Sequence, residues 1–172
     1  MDIKDILRHI PDFPTQGIDF IDITTVLQDK DAFKASVDGL IALAADFDFD
    51  VIVGSESRGF IFGATMAYAL NKGFVPVRKK GKLPFQTISA VYDLEYGSDT
   101  LEMHRDAILP GQKVLIVDDL LATGGTTQSN IRLINELGGT VTGIVYLVEL
   151  SYLKGRDLLP GYPVRSLVQL ES

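Results

Sequence analysis

Buried strands and amphipathic helices alternate along most of the chain. Two continuous apolar runs rich in β-branched residues, Asp50–Gly54 (DVIVG) and Lys113–Asp118 (KVLIVD), have the pattern of strands covered on both faces of a sheet. A stretch with helical spacing of apolar residues follows each run, over Arg58–Leu70 and Thr126–Leu137. This repetition predicts an α/β fold, with a mainly parallel sheet flanked by helices and right-handed crossovers.

Three further strands are predicted at Phe74–Arg78 (FVPVR), Val141–Val148 (VTGIVYLV) and Val164–Leu167. The first of these contains Pro76, which has no amide hydrogen to donate to a neighbouring strand. We therefore expect this strand to be irregular or to lie at an edge.

The N-terminal part departs from the alternation. Residues 10–28 contain two prolines and one glycine and show no sustained period, so they are predicted to wrap around the core instead of joining its sheet. Residues 1–28 are called the hood below.

A long connection separates two of the core strands. Residues 79–112 contain five glycines or prolines, and the stretches Thr87–Leu94 and Thr100–Met103 alternate in the manner of a hairpin. Connections of this length are usually functional or mobile, so we predict a flexible hairpin over 79–112, called the lid below, within one domain spanning 1–172.

Composition and charge exclude several classes of protein. The net charge is −7, which makes the chain a poor general binder of nucleic acid, and it has no cysteine for disulfides, thiolate catalysis or zinc. His9 and His104 are far apart in sequence, and no metal site on the protein is predicted. The N-terminus lacks a signal-type apolar segment and no run approaches the ~18 apolar residues of a membrane span, so we expect a cytoplasmic protein without membrane association.

The clearest chemical signal is Val114–Thr127 (VLIVDDLLATGGTT), in which a buried strand leads through a small-residue turn into a helix. Ligands of parallel sheets bind at the carboxyl ends of the strands, and backbone N–H groups at a helix N-terminus bind phosphate. The run contains neither a GxxxxGK[ST] nor a GxGxxG motif. We predict a phosphate cradle made by the small residues Ala122, Thr123, Gly124, Gly125, Thr126 and Thr127.

Two carboxylates, Asp118 and Asp119, precede this turn. Adjacent side chains on a strand diverge, so the pair is better suited to two different groups of one ligand than to a shared metal ion. The two hydroxyls of a ribose suit such a pair, and the run therefore predicts a ribose 5-phosphate site.

This run resembles the phosphoribosyl pyrophosphate (PRPP) signature of the type I phosphoribosyltransferases. Further stretches extend the resemblance, to the adenine phosphoribosyltransferase family, along nearly the whole chain: Pro11–Gly17 (PDFPTQG), Gly54–Gly63 (GSESRGFIFG), Arg78–Pro84 (RKKGKLP), Leu94–Gly97 (LEYG) and Leu147–Arg156 (LVELSYLKGR). The resemblance implies transfer of the phosphoribosyl group of PRPP to adenine, giving AMP and pyrophosphate in purine salvage. It also implies Mg²⁺ bound through PRPP or pyrophosphate and water, and a homodimer.

A basic cluster follows the strand at 74–78. Arg78, Lys79, Lys80 and Lys82 are four of the 16 basic residues of the chain within five positions. Taken alone the cluster is more typical of a solvated loop, but its charge also matches a pyrophosphate. The resemblance assigns pyrophosphate binding to Ser57, Arg58, Lys79 and Lys82.

The base-binding residues are implied by the resemblance. An isolated aromatic residue such as Phe20 would otherwise be predicted as core. The family stacks this ring on adenine, while backbone groups of Asp19 and Ile21 read the edge of the base. Members of the family often carry arginine at the position of Ile21.

The lid residues depend on the resemblance as well. It makes Glu95 the catalytic carboxylate that assists proton movement on the purine, with Tyr96 closing over the ribose. Two roles remain for His104: it contacts pyrophosphate, or it is an ordinary surface residue.

Two alternative functions share the PRPP signature. One is transfer to a 6-oxopurine such as hypoxanthine, guanine or xanthine, which would need a different base pocket. The other is a non-catalytic PRPP-sensing module, for which the sequence shows no basic helix-turn-helix segment.

Overall fold

A computed structural model describes residues 1–93 and 97–172 of the chain. It contains a two-stranded antiparallel sheet and a seven-stranded main sheet. The small sheet is formed by β1 (Arg8–Ile10) and β2 (Phe20–Asp22). The strands of the main sheet are β3 (Val51–Ser55), β4 (Gly73–Lys79), β5 (Thr87–Asp93), β6 (Ser98–His104), β7 (Lys113–Leu121), β8 (Thr140–Leu150) and β9 (Val164–Leu170).

The main sheet has the order β5-β6-β4-β3-β7-β8-β9. Five neighbouring strands are parallel to one another: β4, β3, β7, β8 and β9. Beyond β4, strand β6 pairs antiparallel with β4 on one side and with β5 on the other. The α-helices are α1 (Thr24–Gln28), α2 (Lys30–Leu43), α3 (Arg58–Leu70) and α4 (Gly125–Glu136), and short 3-10 turns span Ile3–Asp5, Ser151–Leu153 and Gly155–Leu158.

Both faces of the sheet are covered. Helices α2 and α3 pack on one face, where Leu40 and Phe62 are completely buried. Helix α4 and the β5–β6 hairpin pack on the other, around Met103 and Tyr146. The predicted α/β fold with helices on both faces of a mainly parallel sheet is confirmed.

Helix α3 has the predicted bounds, and α4 begins and ends one residue earlier than expected. The hydrophobic pattern does not single out α2, because its buried face includes Ala32 and Ser36 beside Val37 and Leu40. Its start is fixed locally, since the Asp29 carboxylate accepts hydrogen bonds from two N–H groups of the first turn, each at 2.9 Å.

Strand β7 is longer than predicted, and the expectation that it ends at Asp118 was wrong. Its pairing with β3 stops at Val117, but pairing with β8 continues to Leu121, opposite Glu149. Asp118 and Asp119 therefore lie within a strand that has a neighbour on one side only. On its other side, beyond the end of β3, the sheet opens into a cleft.

Strand β4 accommodates Pro76 at the edge of the parallel part of the sheet. It pairs with β3 from Gly73 to Val77, whereas only Arg78 and Lys79 pair with β6. Pro76 therefore has a neighbouring strand on one side only, in line with the sequence-based expectation.

The predicted hairpin forms, with β5 and β6 paired from Thr87↔His104 to Asp93↔Ser98. Its base is fixed by the buried Glu102, which accepts hydrogen bonds from the N–H of Gly81 at 2.7 Å and from the hydroxyls of Thr87 and Ser89 at 2.9 and 3.2 Å. These bonds hold the pKa of Glu102 below its usual value. Because β6 also pairs with β4, the stem of the lid is part of the main sheet.

The hood contributes a sheet of its own and no strand to the main one, as predicted. Ile21 and Ile23 anchor it, since both side chains are buried in the core on the α2–α3 face. Among the helices described, none has the length and apolar character that a membrane crossing requires.

Candidate functional site

A cleft of about 200 Å³ lies at the carboxyl ends of β3 and β7. Two segments line it: Ser55–Arg58, which leads into α3, and Asp118–Thr127, which leads into α4. The structure therefore brings the predicted ribose-phosphate run and the predicted pyrophosphate turn together, although they are distant in sequence. Each segment ends at a helix N-terminus, where free backbone N–H groups favour anions.

Residues 122–127, which form the turn before α4 and the first three residues of that helix, are called the phosphate loop below. Gly124 caps the helix with φ of +90°, and a Cβ atom there would come within 2.5 Å of the Gly155 carbonyl oxygen. Among the described residues, the one atom near the missing side chain of Gly125 is an aromatic carbon of Tyr92, 3.8 Å away. Glycine is thus required at 124 by the fold, while 125 leaves open space beside the loop.

Buried polar residues hold the phosphate loop and α4 against the main sheet. The hydroxyl of Thr127 is hydrogen-bonded to that of Tyr146, and both residues are buried. Burial raises the pKa of Tyr146, so its hydroxyl stays protonated. The Asn130 amide donates to the Ser55 hydroxyl at 2.8 Å and so links α4 to the end of β3.

These supports are absent from the sequence-based predictions. Tyr146 belongs to the apolar run of β8, and Ser55 and Asn130 are separated by 75 positions. A polar residue inside an otherwise apolar run is the one available signal, because such a residue needs a partner when it is buried.

Asp118 and Asp119 both line the cleft. Asp119 is buried, and its Oδ2 atom lies 2.9 Å from Nε of Arg58 as an ion pair. Asp118 is partly exposed, and its Oδ1 atom accepts a hydrogen bond from the N–H of Asp119 at 2.8 Å. Desolvation and the neighbouring Asp119 carboxylate raise the pKa of Asp118 well above its usual range.

Arg58 connects this centre to the hood. Its guanidinium carbon lies 5.4 Å from the ring centroid of Phe20, a distance that allows a cation–π interaction. Phe20 also meets Phe13 edge to face, with ring centroids 5.2 Å apart. Phe20 is partly exposed, so the ring expected in a core from its sequence context lies beside the cleft instead.

The side chains on either side of Phe20 already make contacts within the protein. The Asp19 carboxylate lies 2.7 Å from Nδ1 of His9, and the Ile21 side chain is buried. A ligand beside Phe20 therefore meets the main chain of these two positions more readily than their side chains.

The basic cluster begins next to the cleft. Oε1 of Glu56, a cleft residue, accepts from Nε of Arg78 at 3.1 Å and from the N–H of Lys79 at 2.8 Å. The Lys79 ammonium lies 3.8 Å from the Asp99 carboxylate, and Lys82 is exposed. Ser57 and Arg58 line the cleft of the described chain, whereas Lys79 and Lys82 lie outside its lining.

Two of the predicted residues, Glu95 and Tyr96, fall outside the described residues. His104 lies at the base of the hairpin, where Nε2 accepts from the N–H of Phe85 at 3.3 Å. Within residues 1–93 and 97–172, no three His, Cys, Asp or Glu side chains are grouped so as to hold a metal ion.

The chain matches known proteins along its length. Residues 25–163 match the family model of the phosphoribosyl transferase domain. The chain is 69% identical to an adenine phosphoribosyltransferase of Caldicellulosiruptor saccharolyticus, over all of this chain and 98% of the relative. It is 58% identical to one of Clostridium tetani, over 99% of both chains.

Solved structures agree with this match. Adenine phosphoribosyltransferase of Thermoanaerobacter pseudethanolicus superposes with a TM-score of 0.96 at 54% identity, covering 98% of each chain. The Saccharomyces cerevisiae enzyme, solved with adenine and an imino-altritol bisphosphate, superposes with a TM-score of 0.90 at 41% identity, covering 96% of each chain. The chain belongs to the adenine phosphoribosyltransferase family.

Proposed function

We propose that the chain transfers the 5-phosphoribosyl group of PRPP to adenine, with AMP and pyrophosphate as products. The observation that carries the proposal is the pair of helix N-termini that face one cleft across two carboxylates. PRPP is a ribose with a phosphate at one end and a pyrophosphate at the other, so a site for it needs two anion-binding turns with hydroxyl acceptors between them. One domain, residues 1–172, contains this site.

In this proposal, the phosphate loop binds the 5′-phosphate shared by PRPP and AMP. Its N–H groups at the start of α4 donate to the phosphate oxygens, and the hydroxyls of Thr123 and Thr126 add donors. Ala122, Gly124 and Gly125 leave room for the phosphate to approach the backbone. The ribose hydroxyls donate to Asp118 and Asp119, and such bonds favour the charged form of Asp118 that burial opposes in the free chain.

The pyrophosphate group lies at the N-terminus of α3 in this proposal. Ser57 offers its backbone N–H as a donor, and Arg58 offers a planar guanidinium that suits phosphate oxygens. Lys79 and Lys82 add charge from the neighbouring segment. Arg58 leaves its contact with Asp119 as the ribose replaces it.

The Mg²⁺ ion implied by the family fits the residues present. Carboxylate oxygens line the cleft at Asp118 and Asp119, and they can accept hydrogen bonds from water bound to the ion in a PRPP complex. When bound, Mg²⁺ neutralises charge on the pyrophosphate leaving group.

Adenine stacks on Phe20 in this proposal, with main-chain groups of Asp19 and Ile21 at its edge. The observed engagement of both flanking side chains supports main-chain recognition. The bond from N9 to the anomeric carbon forms as the bond from that carbon to pyrophosphate breaks. Pyrophosphate takes the electron pair, and Glu95 accepts the proton that the imidazole ring loses.

Further parts of the proposal come from the family alone. They are the closure of the lid over 79–112 with Tyr96 above the ribose, assembly as a homodimer, and a cytoplasmic role in purine salvage. Lid closure would exclude water from a sugar that carries cationic character.

A steady-state assay with PRPP and each of adenine, hypoxanthine, guanine and xanthine tests the function. We expect a large preference for adenine, because a site that pairs with the exocyclic amino group leaves buried groups unpaired when a carbonyl replaces it. Comparable kcat/KM with a 6-oxopurine would contradict the assignment, and PRPP binding without turnover of any base would favour a sensing module.

A further inference from the structure

Residues 151–159, in the connection between β8 and β9, lie against the phosphate loop. Gly155, in the middle of this 151–159 segment, is buried, and a Cβ atom on it would come within 2.5 Å of the Ala122 carbonyl oxygen. A Cβ atom on Gly124 would likewise meet the Gly155 carbonyl oxygen at 2.5 Å. The two backbones are therefore in direct contact, and a displacement of one segment displaces the other.

One ion pair fastens the 151–159 segment. Glu149, at the end of β8, accepts hydrogen bonds from Nε and Nη2 of Arg156, each at 2.7 Å. The Ser166 hydroxyl donates to the same carboxylate at 2.6 Å, and Nη1 of Arg156 donates to the Val164 carbonyl at 2.6 Å. Arg156 is thus bound to both β8 and β9, one position after the glycine that contacts the phosphate loop.

Glu149 is only 4% exposed, so its carboxylate depends on these partners. The Arg156 guanidinium holds the pKa of Glu149 below its usual value. The Arg156 side chain is exposed, so only one partner of the pair is buried. Its two parallel N–H···O bonds to Glu149 fix the orientation of the guanidinium more than they add stability. Neither residue lines the cleft, so the pair acts on the phosphate loop through Gly155 and not by touching a ligand.

We propose that Glu149 and Arg156 are positioning residues that set the phosphate loop in its binding geometry by holding Gly155 against Gly124. The inference rests on the proposed function, which makes this loop the 5′-phosphate site. Pyrophosphate, at the N-terminus of α3, meets none of these contacts. Loss of the pair should therefore weaken the binding of ligands that carry the 5′-phosphate and leave the binding of pyrophosphate unchanged.

The experiment compares Arg156→Ala, Arg156→Lys and Glu149→Gln with a matched control, Arg165→Ala. Arg165 makes the same type of paired contact, to Asp46 at 2.5 and 3.0 Å, but away from the phosphate loop. Calorimetric titrations give the Kd for AMP and for pyrophosphate, steady-state assays give the KM for PRPP, and thermal unfolding sets a temperature at which every variant is folded.

We expect Arg156→Ala to raise both the Kd for AMP and the KM for PRPP by about ten- to a hundredfold, since small misplacements of binding groups have effects of this size. Pyrophosphate affinity should stay at the parental value. Arg156→Lys, which cannot pair through two parallel N–H groups, should lie between Arg156→Ala and the parent. Arg165→Ala should leave all three ligands unaffected.

Parental AMP affinity in folded Arg156→Ala, or equal losses for AMP and pyrophosphate, would overturn the proposal. If Arg156→Ala does not fold, the milder Glu149→Gln decides by the same ratio of AMP to pyrophosphate affinity. The parent's turnover of adenine with PRPP tests the proposed function separately. Absence of turnover in the parent would refute the proposed function. If Arg156→Ala still showed a loss of AMP affinity without a loss of pyrophosphate affinity, the positioning role would nevertheless stand.

Discussion

Arg58 and Asp119 form an ion pair across the cleft, with Nε of Arg58 2.9 Å from Oδ2 of Asp119. Asp119 is almost completely buried, and the Arg58 side chain is 38% exposed. In the proposed reaction the two residues bind different parts of PRPP, the ribose and the pyrophosphate. In that proposal, binding of PRPP separates the two side chains, and the ribose hydroxyls become the new partners of Asp119.

Arg58→Gln should weaken pyrophosphate binding by about tenfold or more, because a charge-assisted contact is lost. The affinity for AMP, which has no pyrophosphate group, should change much less. The variant should also be less stable without ligand, since it leaves the Asp119 carboxylate without its counter-ion. Titrations with both ligands and a melting curve measure these effects, and equal losses for AMP and pyrophosphate would refute the assignment.

The two glycines of the phosphate loop should respond differently to alanine. Gly124→Ala should cost about 1–3 kcal/mol of stability, because φ is positive and the new methyl group would meet the Gly155 backbone. Gly125→Ala should melt near the parental temperature but bind AMP more weakly, since its methyl group projects into the open space beside the loop. Melting curves and AMP titrations separate the effects, and normal AMP binding by Gly125→Ala would contradict the proposed cradle.

Asp118→Asn should make the ligand-free chain more stable and PRPP binding weaker. A carboxyl whose pKa is raised in the folded chain is protonated more readily there than when unfolded. Between the usual 3.8 and the raised value, stability therefore falls as the pH rises, so the charged Asp118 destabilises the free chain at neutral pH. Melting temperatures should favour Asp118→Asn by a few degrees at pH 7, with the advantage fading as the pH falls towards 3.8.

The KM for PRPP should rise in the same variant by about tenfold or more, because a hydrogen bond to a charged group becomes a neutral one. An Asp118→Asn variant that melts below the parent at pH 7 would show that the carboxylate stabilises the empty cleft. Unchanged KM would remove Asp118 from the ribose site.

Glu95→Gln should slow the chemical step by roughly 10²–10⁴-fold while leaving adenine and PRPP binding largely intact, because glutamine keeps the shape but cannot accept the proton. Slow product release can hide such a change in steady-state rates. Rapid-quench single-turnover measurements at saturating adenine and PRPP avoid this problem, and an unchanged single-turnover rate would exclude Glu95 as the proton acceptor.

The sequence predicts those parts of the site that are contiguous along the chain. The phosphate loop and the Asp118–Asp119 pair lie in one run of strand, turn and helix, and α3 follows directly from Ser57, so periodicity and turn chemistry locate them. The end of β7 could not be predicted in this way. Its pairing past Val117 depends on β8, and the hydrophobic pattern of β7 itself changes at the two carboxylates.

Contacts between distant positions could not be predicted either. Tyr146 and Glu149 are polar residues within the apolar strand β8, and their partners Thr127 and Arg156 lie in other elements. A single sequence shows that such residues need partners but does not identify them. The separation of Lys82 from the cleft lining likewise depends on the path of the chain after β4, which charge clustering does not predict.

The one-sided pairing of β7 beyond Val117 has a consequence for hydrogen exchange. The N–H of Asp119, which lies beyond the last residue pair between β3 and β7, donates to the carboxylate of Asp118. A ribose hydroxyl that donates to the same carboxylate competes with this N–H for its acceptor. The exchange rate of one amide proton, that of Asp119, thus becomes a local reporter of ribose occupancy that can be read without any turnover.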